Sequence, residues 1–303
     1  MINITDSVAS RNKRCVGGER IEYLDFVAGC MMLVVIFLHA GVLESVPYSI
    51  MHVFGFFMPW FFFKAGMFHI EDLSYTRSLF LKLSKRFVIP MCLYLILSRG
   101  DSTILWFLEA LILSKLVFVA LPKSKVFLVL LSLFLFITGD VINRCELSIP
   151  LLLKEMPMAL FYYTTGFLLK NLKYDSKIII YLVVAYLLVL FIIPSRVDMR
   201  MQTILFGYFE IAVVGCLVGI VLMNALCEKY KNILPSQVMF IGRESMVYYI
   251  LHMPIIIIVQ SVLTKFANTD YNGLISAFVV LFVVPIIIIL AERLKLNWIL
   301  GKP

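Results

Sequence analysis

Ten apolar runs, each a candidate for a helix across a bilayer, dominate the chain and leave little else for it to fold into. Read against charged or Pro/Asn-containing breaks, they cover roughly residues 22–44, 48–69, 78–98, 102–121, 125–142, 155–170, 177–194, 203–226, 236–264 and 274–292. A hydrocarbon core about 30 Å thick takes about 20 apolar residues per helix, so ten spans use roughly 200 residues. The short connections hold no separate water-soluble domain. The runs are continuous rather than alternating in segments of about 10 residues, which excludes an outer-membrane barrel. At 62% hydrophobic and 15% charged, with a mean hydropathy of +0.97, the composition lies far from that of a soluble domain, which is about 25% charged. The expected fold is all-α: a polytopic integral membrane protein of about ten transmembrane helices.

Lys and Arg accumulate on the cytoplasmic side of membrane proteins. With the N-terminus placed inside, 20 of the 27 basic residues fall in inside segments. The outside segments hold Arg99, Arg144, Lys154, Arg196, Arg200 and Lys265, and Lys64 lies within a span. The bias recurs loop after loop. It divides the chain into a cytoplasmic N-terminal tail (1–21), a ten-helix membrane domain (22–294) and a short cytoplasmic C-terminal tail (295–303). The polar, basic residues 1–20 lack a short apolar stretch ahead of a cleavage site, so no removable signal peptide is expected. Six cysteines without a CxxC pair argue against a zinc site or a disulfide framework. The surplus of eight positive charges reads as topology, with no nucleic-acid partner.

Ionisable side chains inside hydrocarbon cost several kcal/mol, so each one is a functional candidate. His39 is placed about five residues from the outer end of the first span, and Glu109 and Glu210 at similar depths in the fourth and eighth. Lys64 and Lys115 lie near inner ends, and His252, followed by Pro254, lies near mid-depth. A neutral imidazole is suited to take a proton from a hydroxyl, and a carboxylate can hold its tautomer. The lysines and the loop SKRFVIP (84–90) suit a phosphate-rich cytoplasmic molecule. Structural readings stand beside these: a lysine near a helix end snorkels to headgroups, a lone intramembrane histidine bonds helix to helix, the two acids can pair, and Trp106 can join an aromatic belt.

Segment 20–41, RIEYLDFVAGCMMLVVIFLHAG, resembles the first helix of the membrane acyltransferase-3 family, especially its sugar O-acetylase branch. MPWFFFKAGMF (58–68), SKRFVIP (84–90), LWFLEAL (105–111) and IGRESMVYYILHMPI (241–255) resemble four further family motifs in order and spacing. Three positions depart from the pattern. Ala28 stands where the family has a basic residue eleven before the histidine, Phe57 where a His often precedes Met-Pro, and Ala65 where Ser precedes Gly. Lys64, on a neighbouring helix, is expected to supply the missing cation.

The resemblance implies transfer of an acetyl group from cytoplasmic acetyl-CoA, a donor substrate rather than a bound cofactor, to a sugar hydroxyl. The acceptor would be a bacterial surface polysaccharide (O-antigen, capsule or exopolysaccharide) or its lipid-linked precursor, and the location the inner membrane. It makes His39 the catalytic base and Asp25 the acid at the helix start. By the same resemblance Lys85 and Arg86 would face the donor, and Trp106, Ser245, Tyr249 and His252 would line the acceptor side; position within the spans adds Lys64 to the donor side and Glu109 and Glu210 to the acceptor side. No metal is expected. Direct transfer and an acetyl-His intermediate remain open, as do two other functions: a transporter or flippase of a lipid-linked sugar, and a degenerate member serving as a structural subunit.

Overall fold

The computed structural model describes residues 21–45, 55–70, 77–98, 105–145, 150–192, 196–197, 204–206, 209–266 and 271–301. The basic N-terminal tail through residue 20, residues 48–54 of the second expected span, and Arg99, Arg200 and Lys302 lie outside these. Among the described residues twelve α-helices follow in order: α1 Glu22–His39, α2 Phe57–Met67, α3 Arg77–Leu83, α4 Ile89–Leu97, α5 Trp106–Ala120, α6 Lys125–Arg144, α7 Leu151–Leu169, α8 Ser176–Ile192, α9 Phe209–Lys229, α10 Ser236–Arg243, α11 Ser245–Phe266 and α12 Asn272–Arg293. A small antiparallel pair, β1 Arg196–Val197 with β2 Ile204–Phe206, precedes α9.

Among the described residues five helices, α1, α6, α9, α11 and α12, are long and apolar enough to cross a membrane. The outward face of α6 carries Val126, Leu130, Leu133, Phe134 and Ile137 exposed, as a surface bathed in lipid requires. Helical segments fall within all ten apolar runs, but their ends differ from the sequence reading where local chemistry intervenes. α1 stops at His39, not five residues later, because Gly41 at φ +79° gives the left-handed residue that terminates a helix. Residues 84–88 form a single π turn between α3 and α4, as wide turns inside helices often do near functional sites. The run 236–264 is broken at Glu244, so α10 and α11 are separate helices.

α1 lies at the centre, packed against α2, α9, α10, α11 and α12. Lipid tails are as apolar as leucine, so helix association in a membrane relies on close packing at small residues. A Cβ on Gly242 of α10 would lie 1.7 Å from the Asp25 carbonyl, and one on Gly29 of α1 would lie 2.0 Å from the Val238 carbonyl. The two backbones therefore touch. α2 and α7 meet the same way, through Gly66 against the Tyr163 carbonyl and Gly166 against the Phe63 carbonyl.

Gly166→Ala puts a methyl carbon 2.0 Å from the Phe63 carbonyl oxygen, an overpacking expected to cost about 1–3 kcal/mol. Gly215→Ala meets only the tip of the Val189 side chain and is expected to cost much less. Melting curves of the two variants in detergent check this: Gly166→Ala should fall by several degrees and Gly215→Ala should stay near the unaltered protein.

Candidate active site

His39 and His252 lie 213 residues apart in sequence and meet in space: His252 Nε2 is 3.1 Å from His39 Nδ1, with the ring centroids 5.0 Å apart. Helical side chains lean towards the N-terminus of their helix. That lean brings the His252 ring back over its own preceding turn, with Nδ1 2.8 Å from the Tyr249 carbonyl and 3.1 Å from the Tyr248 carbonyl. His252 is wholly buried. His39, at the end of α1, is exposed. A reactant can therefore reach the first ring, while the second stands behind it.

The end of α1 is fixed from two sides. Gln260 of α11 donates Nε2–H to the Ala40 carbonyl at 3.1 Å, and Gly273 of α12 comes so close that a Cβ there would lie 2.3 Å from the same oxygen. A row of aromatic rings runs on from the pair. Tyr249 packs on His252 at 5.8 Å, Phe107 on Tyr249 at 5.1 Å, and Trp106 on Phe107 at 6.2 Å. Glu109, three residues past Trp106, lies within electrostatic reach of Tyr249, as does Tyr94 of α4. Of the residues expected on the acceptor side, His252 contacts His39 and Tyr249 packs on His252, while Trp106 and Glu109 lie further along this row.

The other expected residues lie elsewhere. Asp25 is in the first turn of α1, 14 residues before His39, or about 21 Å along the helix axis. Its partner is Lys64 in the last turn of α2: Nζ stands 3.8 Å from the Asp25 carboxylate, 3.4 Å from the Leu24 carbonyl and 5.2 Å from the Trp60 ring. The ammonium group thus lies beside the turn that holds Ala28, where the sequence reading expected a replacement cation. Glu210 is in the first turn of α9 and pairs with Arg144, which also forks onto Asp140 at 2.8 Å. This exposed clip joins α6 to α9. Ser245 opens α11, half-buried.

Lys85 and Arg86 are exposed on the π turn, with Lys82 one turn earlier. Lys115 of α5 stands within electrostatic reach of both Arg86 and Lys82. The sequence reading did not single out Lys82, and for Lys115 it set a phosphate-binding role beside a snorkelling one; the i, i+4 spacing of Lys82 and Arg86 was the available signal for the cluster. The C-terminal 3-10 turn Asn297–Leu300 seats against this region, and Gly301, at φ +73°, rests on the Arg86 carbonyl. His69, which the motifs do not include, is buried in an aromatic box and its Nδ1 is 2.8 Å from the Tyr163 hydroxyl. Among the described residues no group of three or more His, Cys, Asp or Glu is arranged to hold a metal ion.

The acyltransferase-3 family model, described as an acyltransferase domain, matches residues 98–291. The chain belongs to the acyltransferase-3 family. No curated protein and no solved structure matches it. The matched stretch carries Trp106, Glu109, Tyr249 and His252 and ends within α12. His39, Asp25, Lys64 and Arg86 precede it. The contact between His39 and His252 therefore joins a residue inside the family match to one outside it. Family membership and the apolar helices make this a membrane acyltransferase.

Lys64→Met removes the cation beside a carboxylate on a residue only 5% exposed. The expected loss of stability is about 2 kcal/mol, below the roughly 3–5 kcal/mol of a fully buried pair because the Lys64 side chain is 23% exposed. Thermal unfolding of Lys64→Met, Asp25→Asn and the double variant checks this, the double variant recovering most of what Lys64→Met loses.

Proposed function

We propose that this acyltransferase is an inner-membrane O-acetyltransferase with both termini in the cytoplasm and about ten spans. It moves acetyl from cytoplasmic acetyl-CoA to a sugar hydroxyl of a bacterial surface polysaccharide or its lipid-linked precursor. The observation that carries the reading is the exposed His39 held by a buried second imidazole at the far end of α1 from the Lys64–Asp25 pair. An imidazole in reach of a substrate is the group best matched to removing a hydroxyl proton near neutral pH.

The charge distribution supports the direction of transfer. Arg86, Lys82 and Lys115 form a basic cluster suited to the phosphates of CoA, and the positive-inside bias assigns it to the cytoplasmic face. The donor's thioester reaches from there towards His39, and the acceptor enters from the other side, along Trp106, Phe107 and Tyr249. His39 takes the hydroxyl proton as the oxygen attacks the thioester carbonyl. The tetrahedral intermediate collapses, the C–S bond breaks, and the proton passes to the departing thiolate. One base serves both proton steps.

His39→Ala is expected to lower transfer about 10²–10⁴-fold, the contribution of a positioned general base, at an unchanged protein level. Mass spectrometry of the surface glycan from cells making the variant reads the loss; full acetylation would overturn the role of His39. Transfer of label from acetyl-CoA by the purified protein to unacetylated glycan, extracted from cells lacking the gene, checks donor and acceptor together.

A further inference from the structure

A carbonyl oxygen only accepts hydrogen bonds, so a ring nitrogen facing one must carry a proton. His252 Nδ1 faces two, those of Tyr249 at 2.8 Å and Tyr248 at 3.1 Å. The Nδ1–H form of His252 is therefore fixed by its own helix. A neutral ring protonated at Nδ1 has a bare Nε2, and that nitrogen lies 3.1 Å from His39 Nδ1. The short N···N contact needs one proton, and only His39 has one to give. Its Nδ1 must be N–H, which leaves Nε2 as its lone-pair nitrogen. The Val35 carbonyl, one turn back in α1, also lies within hydrogen-bonding reach of the His39 ring.

We infer that His252 is a positioning residue that locks His39 in the Nδ1–H tautomer with a basic Nε2, the task a carboxylate performs in hydrolase triads. The inference rests on the reading of His39 as the base. It differs from a His–carboxylate pair in one respect. Among the described residues the hydrogen-bonding partners of the two rings are each other and the carbonyls of Tyr248, Tyr249 and Val35. A triad carboxylate both orients the base and neutralises the imidazolium. His252, as a neutral acceptor, orients only. The positive charge formed on His39 is then met by the exposed side of the ring. Pro254, two residues on, gives the Ile250 carbonyl no N–H, so the lock sits where α11 is already missing one rung of its ladder.

The chain has four histidines, His39, His52, His69 and His252, so ¹⁵N-histidine spectra of the full-length protein in lipid bilayers resolve the tautomers, with His→Gln variants to assign them. The expected result at neutral pH is His252 and His39 both protonated at Nδ1, with coupling across the N–H···N bond. His39 protonated at Nε2 would overturn the lock. Gln places an amide oxygen where His252 has Nε2 and Leu places no acceptor there. His252→Gln should keep transfer from acetyl-CoA to the extracted glycan within about tenfold of the unaltered protein. His252→Leu should lose about 10²–10⁴-fold in kcat, as bases in the wrong tautomer do, with an unchanged KM for acetyl-CoA and His39 moved towards Nε2–H. A wild-type kcat for His252→Leu, or equal losses in Gln and Leu variants that both fold, would also overturn it. Full transfer by His39→Ala would instead sink the base, and the spectra, which need no acceptor, would still decide the tautomers.

Discussion

Everything near the candidate site depends on the backbone contact between α1 and α10. Hydrophobic burial, which assembles soluble cores, gives little drive between helices already in lipid. Position must come from shape. Gly29 and Gly242 remove two side chains where the helices cross, and each backbone seats on a carbonyl of the other. That seat fixes α1 beside the start of α11, since α10 hands over to α11 through Glu244 alone, whose carbonyl accepts from Val247 and Tyr248. Eight residues on, His252 stands where the last turn of α1 can reach it.

Charge is scarce here, and most of what enters the helices is matched. Lys64 answers Asp25, Arg144 answers Asp140 and Glu210, and Trp60 Nε1–H finds the Asn224 amide oxygen at 2.9 Å. Such groups are costly to leave alone in hydrocarbon, and pairing them across helices turns the cost into registration. The histidines follow another rule. Each ring is satisfied by neutral groups, so the pair gains orientation without a buried net charge.

Periodicity and apolar length made the helices legible, because each run had to satisfy its own backbone within the membrane. The motifs made His39, His252, Tyr249 and Trp106 legible as a set. Their contacts were not, since a hydrogen bond spanning 213 residues leaves no mark on either segment. Glu210 shows the converse. Read as a buried acid near the acceptor, it lies in the first turn of α9 and engages Arg144, because α9 begins at Phe209 and not at residue 203. The break at Glu244 falls in the polar stretch 242–245, which the sequence reading carried through as part of one helix.

Ala28 is where the interplay of sequence and packing is clearest. A basic side chain at that position would have to fit a site that is 0% exposed, three residues from Asp25 and one from Gly29. With α10 seated on the Gly29 backbone, a long cationic side chain would compete with the contact that positions α1. A cation carried instead by Lys64 reaches the same turn from α2, bonds the Leu24 carbonyl, and stands near the Asp25 carboxylate without occupying the α1–α10 crossing. Its Nζ stands 5.2 Å from the ring of Trp60, itself wholly buried, so an aromatic face lies beside the charge as well as the carboxylate. The exchange separates two tasks that one residue of α1 would have combined: α1 keeps a small surface for packing, and its neighbour supplies the charge.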